Sequence, residues 1–213
     1  MKQIKPFVGR FYNEGINGKR IVVIGHQKKN DGVSDLCLQC RHCESVTGPC
    51  YSDDDNESLI NDLINNVKWE PGDDRSYVMF ARMFTNNDFL QKDSEEWRNF
   101  WNHIAFFNFI QRHSLETTGR EEDSEYEKML DVALNHIEKL QPDVVICWGT
   151  YFFPYILRQC EEIDSHTCSL KLHMGKIVRF LQMHHPSQGF SYKVHRDMLK
   201  ELGLYYKEQV VFI

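Results

Sequence analysis

No stretch of this 213-residue sequence approaches the roughly 20 consecutive apolar residues that a membrane-spanning helix needs. Residues 1–10 are basic, but no apolar run follows them, so no signal peptide is expected and a cytoplasmic location is. A positive balance is also missing. The 25 Lys and Arg residues face 31 Asp and Glu residues, for a net charge of −6. That is not the charge of a protein that grips long stretches of nucleic acid, although a local basic patch is compatible with it. There is no internal repeat and no low-complexity linker. With 41% hydrophobic residues, a chain of this length can bury one sizeable core, and residues 1–213 are expected to form a single domain. The cysteines, seven in all, do not make an even set. In a reducing compartment they point away from a disulfide framework.

What is present alternates between strand and helix signals. Ile21, Val22, Val23 and Ile24 close on Gly25, as a buried parallel strand meeting a tight turn. Leu59, Ile60, Leu63, Ile64 and Val67 have helical spacing, and so do Tyr77, Phe80, Ala81 and Phe84. Asp93 and Ser94 can cap a helix running through Trp97 and Trp101. An apolar run at 104–109, with Asn108 inside it, predicts a second core strand. Residues 124–140 predict an amphipathic helix stopped by Pro142, and 143–149 a third strand ending in Gly. A helix is expected over 150–160, strands over 169–173 and 177–182 with Gly175 between them, and a last helix over 192–202. Such alternation means a three-layer α/β/α sandwich with a mainly parallel central sheet. Ligands of such sheets bind beyond the carboxyl ends of the strands.

The segments at those ends hold a coherent set. Gly25, His26 and Gln27 follow the first strand, and Asn108 sits in the second. Trp148 and Gly149 end the third, and His184, His185, Pro186, Ser187, Gln188, Gly189 and Phe190 follow the last. In order and spacing the set resembles the uracil-DNA glycosylase superfamily over residues 20–202. The resemblance implies a uracil-DNA glycosylase-like fold and removal of uracil or another altered base from DNA. Flipping costs least for an unpaired base, so an acidic chain is expected to prefer single-stranded or mismatched DNA. It gives Gly25, His26 and Gln27 the loop that holds the attacking water, and Asn108 the reading of the base edge. His185 would stabilise the departing base, while Pro186 and Ser187 would enter the minor groove. Phe84 or Tyr51 would be the aromatic that stacks on the base. Phe190 is either a wedge into DNA or a loop aromatic folded back on the core. The sequence departs from the superfamily at Gln27, where the most active members carry Asp, and at Gln188, where Pro is often found. An amide at position 27 can orient water but cannot accept its proton. A pocket that recognises a base or nucleotide without cutting it is the competing expectation.

Cys37, Cys40, Cys43 and Cys50 fall within 14 residues of a polar, Cys-rich loop inserted at about 26–56. Four thiolates at this spacing predict a metal site. Zinc, bound tetrahedrally as a structural ion, is preferred, with an iron–sulfur cluster as the alternative. His42 or His26 could replace one thiolate. Cys147, Cys160 and Cys168 are expected to be core or incidental residues.

Overall fold

A computed structural model describes residues 5–29, 75–92, 94–114, 122–186 and 190–204, with the backbone alone for 27–29 and 111–114. The described residues form seven strands and five helices. The strands are β1 (Phe7–Val8), β2 (Ile21–Lys29), β3 (Ile104–Ser114), β4 (Val144–Trp148), β5 (Glu161–Glu162), β6 (Thr167–Lys171) and β7 (Ile177–Met183). The helices are α1 (Arg75–Thr85), α2 (Glu95–Asn102), α3 (Asp123–Leu140), α4 (Phe153–Leu157) and α5 (Tyr192–Glu201). The expected helix around residues 57–68 lies outside the described residues.

All strands join one sheet, in the order β1-β3-β2-β4-β7-β6-β5. β3, β2, β4 and β7 are mutually parallel, and β1, β6 and β5 run antiparallel at the margins. The fold is thus α/β with a mixed sheet whose centre is parallel. Alternate residues of the central strands feed two cores. Ile21, Val23, Ile104, Phe106, Ile146 and Leu181 pack under α1, α2 and α5. Val22, Ile24, Phe107, Val145 and Phe180 pack under α3 and α4. Burial on both faces explains why these strands read as continuous apolar runs. Each fully buried Val, Ile or Phe contributes roughly 1.5–3 kcal/mol.

The chain leaves β2 for β3 on one side through α1 and α2, and returns from β3 past β2 to β4 through α3 on the other face. Right-handed crossovers demand this change of face when the direction reverses. The reversal makes a switch point between β2 and β4, the place beyond the carboxyl ends of the strands where ligands of such sheets bind.

Local signals account for most boundaries. The Ser94 hydroxyl accepts the Trp97 N–H at 3.1 Å and starts α2. α3 stops at Gln141, which takes a left-handed φ of 50° before Pro142. Gly175, with φ of 85°, turns β6 into β7. Two expectations are corrected. The helix expected at 150–160 is only Phe153–Leu157. A start at 150 would set Pro154, which lacks an N–H, opposite the Thr150 carbonyl, whereas in the first turn that lack costs nothing. β2 does not turn at Gly25 but stays paired to β3 through Gln27↔Ile110. The short strands β1 and β5 have no counterpart in the sequence pattern, being only two residues each.

At the amino-terminal edge of the sheet, Asp143 accepts the Arg20 N–H and the Lys176 ammonium, each at 2.7 Å. Partial burial pushes its carboxyl up. The two donors outweigh that and hold it below its ordinary value. Among the described residues, no helix is long and apolar enough to cross a membrane.

Candidate functional site at the carboxyl edge of the sheet

One row of residues crosses the carboxyl ends of the four parallel strands. Gly25 pairs with Asn108 across β2 and β3, and Trp148 pairs with Met183 across β4 and β7. The β2–β4 register ends at Ile24↔Cys147, so Gly25 and Trp148 come next in it. Side chains of this row share the face of Val23, Phe106 and Ile146, because residues two apart on a strand point the same way. Asn108, Gly25 and Trp148 therefore gather under α1 at the switch point.

Asn108 is 5% exposed. Its carboxamide leans over Gly25: a β-carbon at position 25 would overlap Oδ1 and stand 3.0 Å from Cζ of Phe106. The amide offers both a donor and an acceptor there. Trp148 is 2% exposed, and its indole N–H is buried without an acceptor among the described residues. Its ring lies 4.9 Å from that of Phe80, 5.4 Å from Tyr77 and 5.6 Å from Phe106. The half-buried His185, two residues beyond β7, meets Trp148 edge to face at 6.0 Å and 84°. Gly149, with φ of 99°, turns the chain away from β4, and its N–H is held by the Met183 carbonyl at 2.8 Å.

Several expected site residues stand elsewhere. His26 follows Gly25 and so points to the opposite face. There its Nε2 is 2.9 Å from the Tyr126 hydroxyl, and its ring is parallel to Phe152 at 6.2 Å. Phe84 is fully buried and packs on Phe80 at 5.8 Å and Phe100 at 5.4 Å, away from Asn108. Phe190 folds back and stacks on His195 at 4.2 Å. Pro186 is buried. Gln27 lies within β2, where its backbone alone is described. Cys37, Cys40, Cys43, Cys50, His42, Tyr51, Ser187, Gln188 and Gly189 lie outside the described residues. Among those described, no group of three or more His, Cys, Asp or Glu residues is arranged to hold a metal ion.

Two residues at the site escaped the sequence. Tyr77, seven residues before Phe84 on α1, is the ring that reaches both Phe106 and Trp148. Burial raises the pKa of its phenol, which stays neutral. The second is His195, whose Nε2 is 3.3 Å from the backbone nitrogen of His184, the neighbour of His185. Neither had a signal beyond ordinary helical spacing. A separate cavity of about 380 Å³ lies between the β5–β6 turn, β7 and α5, lined among others by His166, Arg179, Met198 and Glu201. Neither Asn108 nor Trp148 lines it, and its walls mix charges of both signs.

The site joins an amide with both a donor and an acceptor, an indole N–H and an imidazole to a set of aromatic rings. Such a set matches a flat heteroaromatic ligand with a polar edge. No protein-family model matches the chain, and no curated protein matches it.

Proposed function

We propose that this chain is a uracil-DNA glycosylase-like protein, in fold as well as in activity. It receives a flipped or unpaired base, uracil or another altered one, and hydrolyses its N-glycosidic bond. The observation that carries this is the pairing of Gly25 with Asn108, whose amide lies over the glycine at the switch point, beside the row that leads through Trp148 to His185. Such an amide can pair with a base edge as donor and as acceptor.

In the reaction, water adds to the sugar C1′ and the C1′–N bond breaks. Its electron pair leaves with the base, and the proton of water is lost to solvent. His185 donates a hydrogen bond to the base oxygen on which negative charge grows. Asn108 selects the base by its edge. Gln27 orients the water without taking its proton. Flipping costs a few kcal/mol, least for an unpaired base. A chain of net charge −6 has little long-range attraction to DNA to offset that, which favours single-stranded or mismatched substrates. Cys37, Cys40, Cys43 and Cys50 would bind one structural zinc ion, or else an iron–sulfur cluster, outside the reaction.

Gln27 and the acidic balance favour a second reading, a nucleic-acid or nucleotide recognition module that does not cut. Labelled uracil in duplex DNA, in single-stranded DNA and as a free nucleoside separates the two. Release of free base, fastest from the single strand, supports the glycosylase. Binding without release supports the module. Action on the nucleoside alone contradicts both.

A further inference from the structure

His195 lies on α5, and its chemistry does not enter the reaction above. It is 1% exposed, and both ring nitrogens are engaged. Nδ1 is 2.7 Å from the Ser191 carbonyl oxygen, and Nε2 is 3.3 Å from the His184 backbone nitrogen. A carbonyl only accepts and a backbone N–H only donates. The ring is therefore neutral, with its proton on Nδ1 and a lone pair on Nε2. Phe190 lies flat on the same ring, 4.2 Å between centroids and 12° from parallel. The His184 ring meets it edge to face at 6.0 Å. One side chain thus touches His184, Phe190 and Ser191, and His184 is followed by His185 against Trp148.

We propose that His195 is the positioning residue for His185: its neutral ring holds His184, the neighbour of His185, as well as Phe190 and Ser191, and protonation at Nε2 removes the tie to His184. The functional consequence rests on the glycosylase-like role given to His185; the tie itself rests on geometry alone. A protonated Nε2 carries a hydrogen and cannot accept the His184 N–H, while the bond to Ser191 survives. Burial lowers the His195 pKa below the ordinary 6.5; the Ser191 carbonyl opposes this, and the nearby His184 and His166 reinforce it. Those two histidines, one just before His185 and one on the β5–β6 turn, are the titratable groups facing the ring among the described residues. The tie is complete above pH 6.5 and fails as pH falls through the lower pKa of His195.

The test is histidine ¹⁵N NMR on the full chain, with amide exchange at His184 and oligonucleotide binding in parallel. Wild type should show His195 as the Nδ1–H tautomer at pH 7.5. The His185–Trp148 contact should weaken on acidification with the midpoint of His195. His195→Asn keeps a donor near Ser191 but offers no acceptor to His184. It should raise His184 exchange about tenfold, the effect of losing one typical hydrogen bond. It should also weaken binding of a single-stranded, uracil-containing oligonucleotide. His195→Gln, whose amide oxygen can reach the Nε2 position, should restore both. An Nε2–H tautomer in wild type overturns the proposal even if neither variant folds. Unchanged His184 protection in His195→Asn overturns it too, and equal oligonucleotide affinity after the tie is lost overturns the positioning role. If the tie behaves as expected but wild type binds and cleaves no oligonucleotide, the glycosylase-like function fails and the tie stands.

Discussion

The carboxamide oxygen of Asn108 occupies the place that a β-carbon on Gly25 would need. The two residues face each other across β2 and β3, so the glycine is what lets the amide lie over the strand.

Gly25→Ala should therefore act on the amide more than on the fold. The added methyl meets the free end of a side chain, which can rotate away, and Cζ of Phe106 at 3.0 Å. Overpacking of this kind costs about 1–3 kcal/mol. Thermal unfolding should show a drop of several degrees. Affinity for a uracil-containing oligonucleotide should fall about tenfold or more, as expected when a buried polar contact is misplaced. Retained affinity would mean that Asn108 does not meet the ligand.

Asp143 should govern part of the acid stability. Its carboxyl pKa is held below the ordinary 3.8 by Lys176 and the Arg20 N–H, against the opposing effect of burial. Below that value the unfolded state takes up a proton that the native state resists, so this contribution is complete above about pH 4 and lost as pH falls. Asp143→Asn keeps an oxygen for Arg20 and loses the charge facing Lys176. With the carboxylate side chain 35% exposed, its loss at neutral pH should cost no more than about 1 kcal/mol. Denaturant titrations from pH 7 to pH 3 check this: the variant should show a shallower decline than wild type.

Much of the fold was legible because local and global demands agree. Val144, Val145 and Ile146 are buried on both faces and read as a strand, and Ser94 caps the helix it announces. The 150–160 helix misled because helical propensity ignores where the missing N–H of Pro154 must fall. Within the site, the Gly25–Asn108 pairing follows from β2 and β3 being parallel neighbours, an order that motif spacing along the chain does not contain. The stacking residue does not follow from spacing either. Tyr77 and Phe84 share a helical face, and helical spacing does not say which ring meets Trp148: Tyr77 does, while Phe84 packs on Phe100. His26 was misplaced for a simpler reason: as the neighbour of Gly25 on an extended strand it must point the other way.

Metal analysis tests the cysteine cluster. Anaerobically purified protein should carry about one zinc per chain, as tetrathiolate sites do. A chelator should lower the unfolding temperature, because ligand binding and folding are linked there. Cys40→Ala should reduce solubility more than it alters oligonucleotide binding. Iron with inorganic sulfide would replace zinc by a cluster, and no metal at all would remove the site.

The most direct test of the central claim is single-turnover release of free base at stoichiometric protein. The substrates are labelled single-stranded oligonucleotides containing uracil, hypoxanthine or xanthine. Wild type should release at least one of these bases. His185→Ala should lose about 10²–10³ of the rate, the scale of one donor aimed at developing charge. Asn108→Ala should lose discrimination among the bases. Gln27→Ala should lose less than His185→Ala, because an amide takes no proton from water, and Gln27→Asp should gain rate. Release by wild type that is unchanged in both His185→Ala and Asn108→Ala would contradict the account, as would the absence of both release and binding with every oligonucleotide.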